Sequence, residues 1–205
     1  MTTVEPFFMP LHPVQLEGNG LILLPTTLGH VPSLAQAASD GELWTPVYSS
    51  VPTPDEMELY VTNALEQQAK GECLIFTVTH AKTKAIIGTT RYYNIIPECA
   101  RLEIGYTWYA QSHQRTFVNT ACKYLMLFYA FESLKANMVG WRADNLNEPS
   151  LAAIERIGAK RDGVIRGDKL RRNGTVRDSV IFSMSRKEWP EHKQRLLSKI
   201  QNTPT

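Results

Sequence analysis

The stretch RLEIGYTWYA (residues 101–110), followed without a break by QSHQR (111–115) and TFVNTACKYLMLFYAF (116–131), decides how the chain is read. Its first ten residues alternate, so Leu102, Ile104, Tyr106 and Trp108 fall on one face of a strand and Glu103, Gly105 and Thr107 on the other. From Thr116 to about Phe131 the period becomes helical, with Val118, Ala121, Cys122, Leu125, Phe128 and Tyr129 on one side. A strand that passes through a polar turn straight into a helix presents the first helical amides at the strand's end. Those N–H groups and the macrodipole favour an anion, and Gln114 and Arg115 add side-chain donors. Many helices with such a first turn bind only water, so the junction by itself leaves a phosphate site and a solvated helix start both open.

Upstream, LIFTVTHA (74–81), a Lys82-Thr83-Lys84 turn and AIIGTTRYY (85–93) lead into the same strand, which predicts an antiparallel meander. Before it, TPDE (53–56) is a capping box with proline at the first helical position, starting a helix to about Lys70. A short buried strand at Leu21–Leu24 and a helix from Leu28 to Ala38 precede that helix. Pro6, Pro10 and Pro13 mark residues 1–19 as an extended arm, because repeated proline removes backbone donors. Downstream come a strand, Met138–Ala143, and a helix opened by Asn147 and closed by Gly158. Strands at Ala159–Ile165 and Val176–Met184 then flank an RRNG turn, and a charged helix runs from Glu188 to Ile200. The expected division is an arm at 1–19, one domain at 20–187, and a charged helix and tail at 188–205. The order implies a mixed α/β sheet with helices on both faces.

At 205 residues, 43% hydrophobic and 20% charged, the chain is the size and composition of one globular domain. Its apolar runs fall far below the roughly 20 residues of a membrane helix, and the N-terminus lacks a basic segment followed by an apolar run. Cys73, Cys99 and Cys122 form no paired motif, and the five histidines lack metal-ligand spacing, so no metal is expected and a cytoplasmic, reducing location is. Residues 1–154 carry 9 Lys and Arg against 14 Asp and Glu, whereas residues 155–205 carry 13 against 6. That basic end suits a nucleic acid, an acidic protein, a cofactor's phosphates or simply solvent.

Several blocks together resemble the GNAT N-acetyltransferase superfamily, and within it the RimJ/RimL-like branch of ribosomal-protein acetyltransferases. They are RLEIGYTWYA, QRTFVNTACKYL, DNLNEPSLAAIERIGAKRDGVIR and NGTVRDSVIFSM before Glu188-Trp189, with ELW (42–44) and PTPDEM (52–57) toward the N-terminus. The resemblance covers roughly residues 15–190. It implies a mostly antiparallel twisted sheet with a V-shaped split between its central strands. Acetyl-CoA would lie in that split as co-substrate, and an acceptor amine, either a protein N-terminus or a small molecule, would attack it directly. No membrane is implied, nucleic acid enters only through a ribosomal substrate, and a homodimer is a family habit.

The resemblance also distributes roles. The superfamily's pyrophosphate loop falls on Gln114, Arg115, Thr116, Phe117, Val118 and Asn119, with Thr120 following, and the pantetheine arm would pair near Trp108 and Tyr109. Phe117 stands where glycine is usual and Asn119 where glycine or alanine is. Either Phe117 points into the core while its amide serves the phosphates, or it closes the loop, leaving a non-catalytic acyl-CoA-binding or ribosome-associated module. Asn147 matches a cofactor contact and is also a plain N-cap. Ser150 matches the hydroxyl that this branch places near the CoA sulfur, whereas the tyrosine used by other relatives is Ile154 here. Trp44, Tyr48, Arg91 and Tyr92 would line the acceptor side, or fill the core. A carboxylate in mid-strand needs a partner or a cleft, so Glu103 is either a cross-strand ion-pair partner of Arg91 or a general base.

Overall fold

Eight strands form one sheet in the order β1-β2-β3-β4-β5-β6-β8-β7. The computed structural model describes residues 7–9 and 11–202, so residues 1–6 and 10 of the expected arm and 203–205 of the expected tail lie outside the described residues. The strands are β1 (Leu16–Gly18), β2 (Leu21–Pro25), β3 (Cys73–His80), β4 (Ile86–Ile96), β5 (Arg101–Tyr109), β6 (Met138–Asp144), β7 (Lys160–Leu170) and β8 (Val176–Ser185). The helices are α1 (Val31–Ser39), α2 (Met57–Ala69), α3 (Val118–Phe128), α4 (Glu148–Ile157) and α5 (Trp189–Gln201). All neighbouring strands are antiparallel except β5 and β6, which run parallel.

Two cores hold the helices. Leu34, Ala37 and Ala38 of α1 and Met57 and Val61 of α2 bury their apolar stripes against Trp108 and Ala110. The larger core joins Val118, Ala121, Cys122 and Leu125 of α3 and Trp189 and Leu196 of α5 to Leu74, Phe76, Leu102 and Ile104 of the sheet. Helix starts follow the local chemistry: Thr53 and Glu56 form the reciprocal capping box, and Asn147 caps α4 through its Ser150 amide. The helix expected from Thr116 begins at Val118, and after Phe128 it widens into a π turn over Tyr129–Ser133. The strand expected to stop at Ile165 continues to Leu170, and Leu16–Gly18, expected as arm, adds an edge strand to β2.

The simple alternation along β5 does not hold. Leu102, Ile104 and Tyr109 belong to the α3 core, while Trp108 belongs to the α1–α2 core. The cause is a bulge. The β4 register steps from Thr89↔Trp108 to Arg91↔Gly105, two residues against three, and Tyr106 adopts φ +51°. One extra residue exchanges the faces of everything beyond it.

Candidate functional site

The site begins where β5 and β6 part. They pair through Arg101↔Met138, Leu102↔Val139 and Glu103↔Gly140, and there the ladder ends. Beyond it the facing edges of both strands border an open cleft lined by Ile104–Tyr109 and Trp141–Asp144.

Glu103 sits at the vertex, its side chain 1% exposed. Arg142 donates Nε to Oε2 at 3.0 Å and Nη2 to Oε1 at 3.2 Å, and Asn94 Nδ2 donates to Oε1 at 2.7 Å. Gly140 makes room for it, since a Cβ there would meet Glu103 Cγ at 3.0 Å and Arg101 Nη2 at 3.1 Å. The expected pair with Arg91 is therefore corrected to Arg142, because Arg91 lies opposite Gly105 and Glu103 opposite Tyr93. Burial, with the Glu103 charge beside it, pushes the Tyr93 phenol up. The carboxylate is not part of the cleft lining, and its lone pairs are already used by three N–H donors. That arrangement fits an anchor better than a general base.

The other end of the cleft is the start of α3. Asp40 ties down the preceding turn by accepting from the Ser112 amide and hydroxyl. Gln114 Nε2 donates to the Tyr109 carbonyl at 2.9 Å, so that side chain braces the turn. Arg115 takes φ +58° ahead of the right-handed Phe117, and the amides of Arg115, Thr116 and Phe117 have no acceptor among the described residues. Successive free amides in such a left-to-right-handed turn form a concave nest suited to a phosphate. Phe117 is 5% exposed and buried in the α3 core, its ring against Gly20, where a Cβ would come within 3.0 Å. Its ring thus points away from the turn, and its amide is left unpaired.

The cleft collects Trp108, Tyr109, Gln114, Arg115, Thr116, Asn119, Thr120, Asn147, Ser150 and Tyr48. Tyr109 donates its hydroxyl to Asn119 Oδ1 at 3.4 Å and is kept neutral by burial. Ser150 Oγ has no hydrogen-bond partner among the described residues. Besides Phe117, four of the expected acceptor or cofactor side chains are elsewhere. Val118 is fully buried in the core. Tyr92 is fully buried and donates to the Met126 carbonyl, because its strand position faces α3. Trp44 packs against the α1–α2 core. Arg91, 4% exposed, is held between the rings of Tyr60 and Tyr106, at 5.0 and 4.2 Å from their centroids.

Among the cleft residues that were not foreseen is a buried lysine. Lys123 is 6% exposed, and its Nζ donates to Thr107 Oγ at 2.6 Å. Burial lowers its ammonium to about 8. A signal was present: Thr116, Asn119, Thr120 and Lys123 stand at i, i+3, i+4 and i+7, a polar stripe along one side of an otherwise apolar helix, and all four line the cleft. Part of the basic C-terminal quarter also reaches the cleft, as Arg156, Arg177, Arg195 and Lys199.

Similarity to known proteins agrees with this geometry. Over 109 residues the chain is 35% identical to YdaF of Bacillus subtilis (strain 168), whose name provisionally assigns it ribosomal N-acetylation; the match spans 53% of this chain and 58% of that protein. A Bacillus licheniformis protein named an uncharacterized N-acetyltransferase is 27% identical over 58% of this chain and 66% of its own. The chain therefore spans about three fifths of the length of the curated relatives it matches. A crystal structure of a GCN5-related N-acetyltransferase from Brucella melitensis superposes with a TM-score of 0.85 at 24% identity, covering 96% of this chain and 89% of that one. Mycobacterium smegmatis RimJ, solved in complex with CoA-disulfide, shares the fold at a TM-score of 0.77 and 15% identity, covering 94% and 99%. The sequence profile of the acetyltransferase (GNAT) domain matches residues 20–160, more than half of the chain, and on that match the chain belongs to the GNAT acetyltransferase family.

Proposed function

We propose that the protein is an acetyl-CoA-dependent N-acetyltransferase that passes acetyl to a primary amine by direct attack in a ternary complex. The observation that carries this reading is the parting of β5 and β6 beyond Glu103↔Gly140, with a nest of free amides at the far end of the resulting cleft. The amides of residues 115–117 would hold the pyrophosphate, with Asn119 and Thr120 beside it, and the free edge of β5 near Trp108 and Tyr109 would pair with the pantetheine arm. A strand amide on that edge serves as oxyanion donor when the amine attacks the thioester. Asn147 caps α4 and so fixes the helix start beside the arm, and Ser150 offers a free hydroxyl to the sulfur.

The acceptor fits an α-amino group, whether of a protein N-terminus, with the ribosomal N-acetyltransferase name of YdaF in its favour, or of a small molecule. Its reference pKa of about 7.7–8.0 lets water in the cleft take the proton. Glu103 then acts by fixing the vertex rather than as the base. Three unpaired cysteines suit a cytoplasmic setting. The non-catalytic reading required Phe117 to close the loop, and its burial against Gly20 speaks for a loop left open.

Calorimetric titration with acetyl-CoA and CoA, followed by thiol release against a panel of amines and N-terminal peptides, tests the proposal. Micromolar binding with turnover of one acceptor class is expected. No binding at millimolar ligand would overturn it.

A further inference from the structure

Lys123 has no role in the chemistry described so far. It stands five residues into α3, about 7.5 Å along the axis at 1.5 Å per residue, between the amide nest at 115–117 and the vertex at Glu103. Its Nζ reaches across to β5 and donates to Thr107 Oγ, and Thr107 in turn shares a hydrogen bond with Thr90 Oγ at 2.7 Å. No carboxylate approaches it among the described residues. An ammonium buried without a counter-charge is costly, and one placed in a cleft wall is suited to meeting an anion that arises there.

We propose that Lys123 is the proton donor to the coenzyme A thiolate as it departs, and so a catalytic residue of this chain. The inference rests on the acetyltransferase reading. In the step, the acceptor nitrogen bonds to the acetyl carbon and the carbon–sulfur bond breaks. Its electron pair passes to sulfur, and the Lys123 ammonium supplies a proton to that sulfur. The surplus proton of the amine goes to water, and water restores the ammonium. Ser150, across the cleft on α4, is left to orient the sulfur.

The groups around Lys123 are neutral, paired or cationic. Cys122 beside it on α3 and Tyr109 on β5 are kept neutral by burial. On β6, Arg142 is engaged by Glu103 and Asp144 by Arg171. The remaining charges bordering the cleft, Arg115 before α3, Arg156 on α4, Arg177 on β8, and Arg195 and Lys199 on α5, are cations, and burial lowers the Lys199 ammonium as well. With its ammonium lowered to about 8, Lys123 is charged at pH 7 and gives its proton up readily.

The test compares wild type with Lys123→Met, a substitution of similar length that suits an apolar helix face. Wild-type kcat at saturating amine is expected to fall on the alkaline side with a midpoint near 8. The variant is expected to lose that limb and about 10²-fold in kcat at pH 7, to bind acetyl-CoA within threefold of wild type by calorimetry, and to melt higher. Unchanged kcat with the same pH profile would overturn the proposal, and a limb rising through pH 8 that the variant loses would replace the donor with a base. A variant that melts lower would make Lys123 a structural residue. Failure of the wild type to bind acetyl-CoA at all would instead remove the acetyltransferase reading on which the inference rests.

Discussion

The two halves of the β5–β6 pair are built from the same strands and handle polar groups in opposite ways. Below the vertex the strands pair, and the one buried charge, Glu103, is matched by Arg142 and Asn94. Above it the edges face open space, a bulge at Tyr106 turns the side chains over, and Lys123 is buried with only a hydroxyl for company. The paired half supplies rigidity, and the parted half supplies groups that a ligand must satisfy. A fold can hold donors ready for a substrate only if something nearby prevents them from pairing with each other. Here the Glu103 clamp marks where pairing stops.

Removing the clamp is expected to have the largest effect. Glu103→Ala leaves the Arg142 guanidinium without its carboxylate and should cost about 3–5 kcal/mol, a drop in melting temperature on the order of 10 °C for a chain of this size. Urea denaturation measures it, and a loss under 1 kcal/mol would erase the contrast between the halves. Glu103→Gln, which keeps the shape, should lower stability without altering the pH dependence of turnover. Phe117→Ala is expected next, at about 3 kcal/mol from the cavity left in the α3 core, with acetyl-CoA affinity unimproved. A large gain in affinity would show that the ring obstructs the nest.

Lys123→Met sharpens the comparison from the other side, because its sign is reversed. The folded ammonium titrates near 8 and the unfolded one near 10.5. Between those values the unfolded chain holds the extra proton, so wild-type stability gains relative to the variant as pH rises through that window. Below pH 8 the variant should be the more stable by on the order of 3 kcal/mol, and the gap should close by pH 10.5. The buried tyrosines titrate in both proteins and cancel from the difference. Melting curves of the pair from pH 7 to 10.5 check this. The smallest effect is expected for Asn147→Ala, about 1 kcal/mol for a lost N-cap, and any fall in CoA affinity beyond tenfold would add a direct ligand contact to the cap.

Caps, turns and periodicities act over a few residues, and they sufficed for most of the elements, though not for the edge strand at Leu16–Gly18 or the full length of β7. The capping box at Thr53 and Glu56, the Asn147 cap and the strand-to-helix junction at 101–131 are all where the sequence places them. The free amides of the turn at 115–117 were legible for the same reason. The bulge was not, because one extra residue in β5 shows only against the register of β4, and it moved Trp108 to the other core.

Side-chain partners were harder still. Arg91 was the expected partner of Glu103 because it lies on the adjacent antiparallel strand, whereas Arg142 comes from a parallel neighbour 39 residues away. Lys123 was not among the expected site residues, and the approach of β5 across α3 buried it against Thr107. Local sequence therefore settled most of the elements, their order and the polar strand-to-helix turn, since each depends on contacts within a turn or two of chain. The open cleft, the Glu103 clamp and the uncompensated lysine arose from how distant strands and helices meet, because burial and charge pairing are properties of those meetings and not of any one segment.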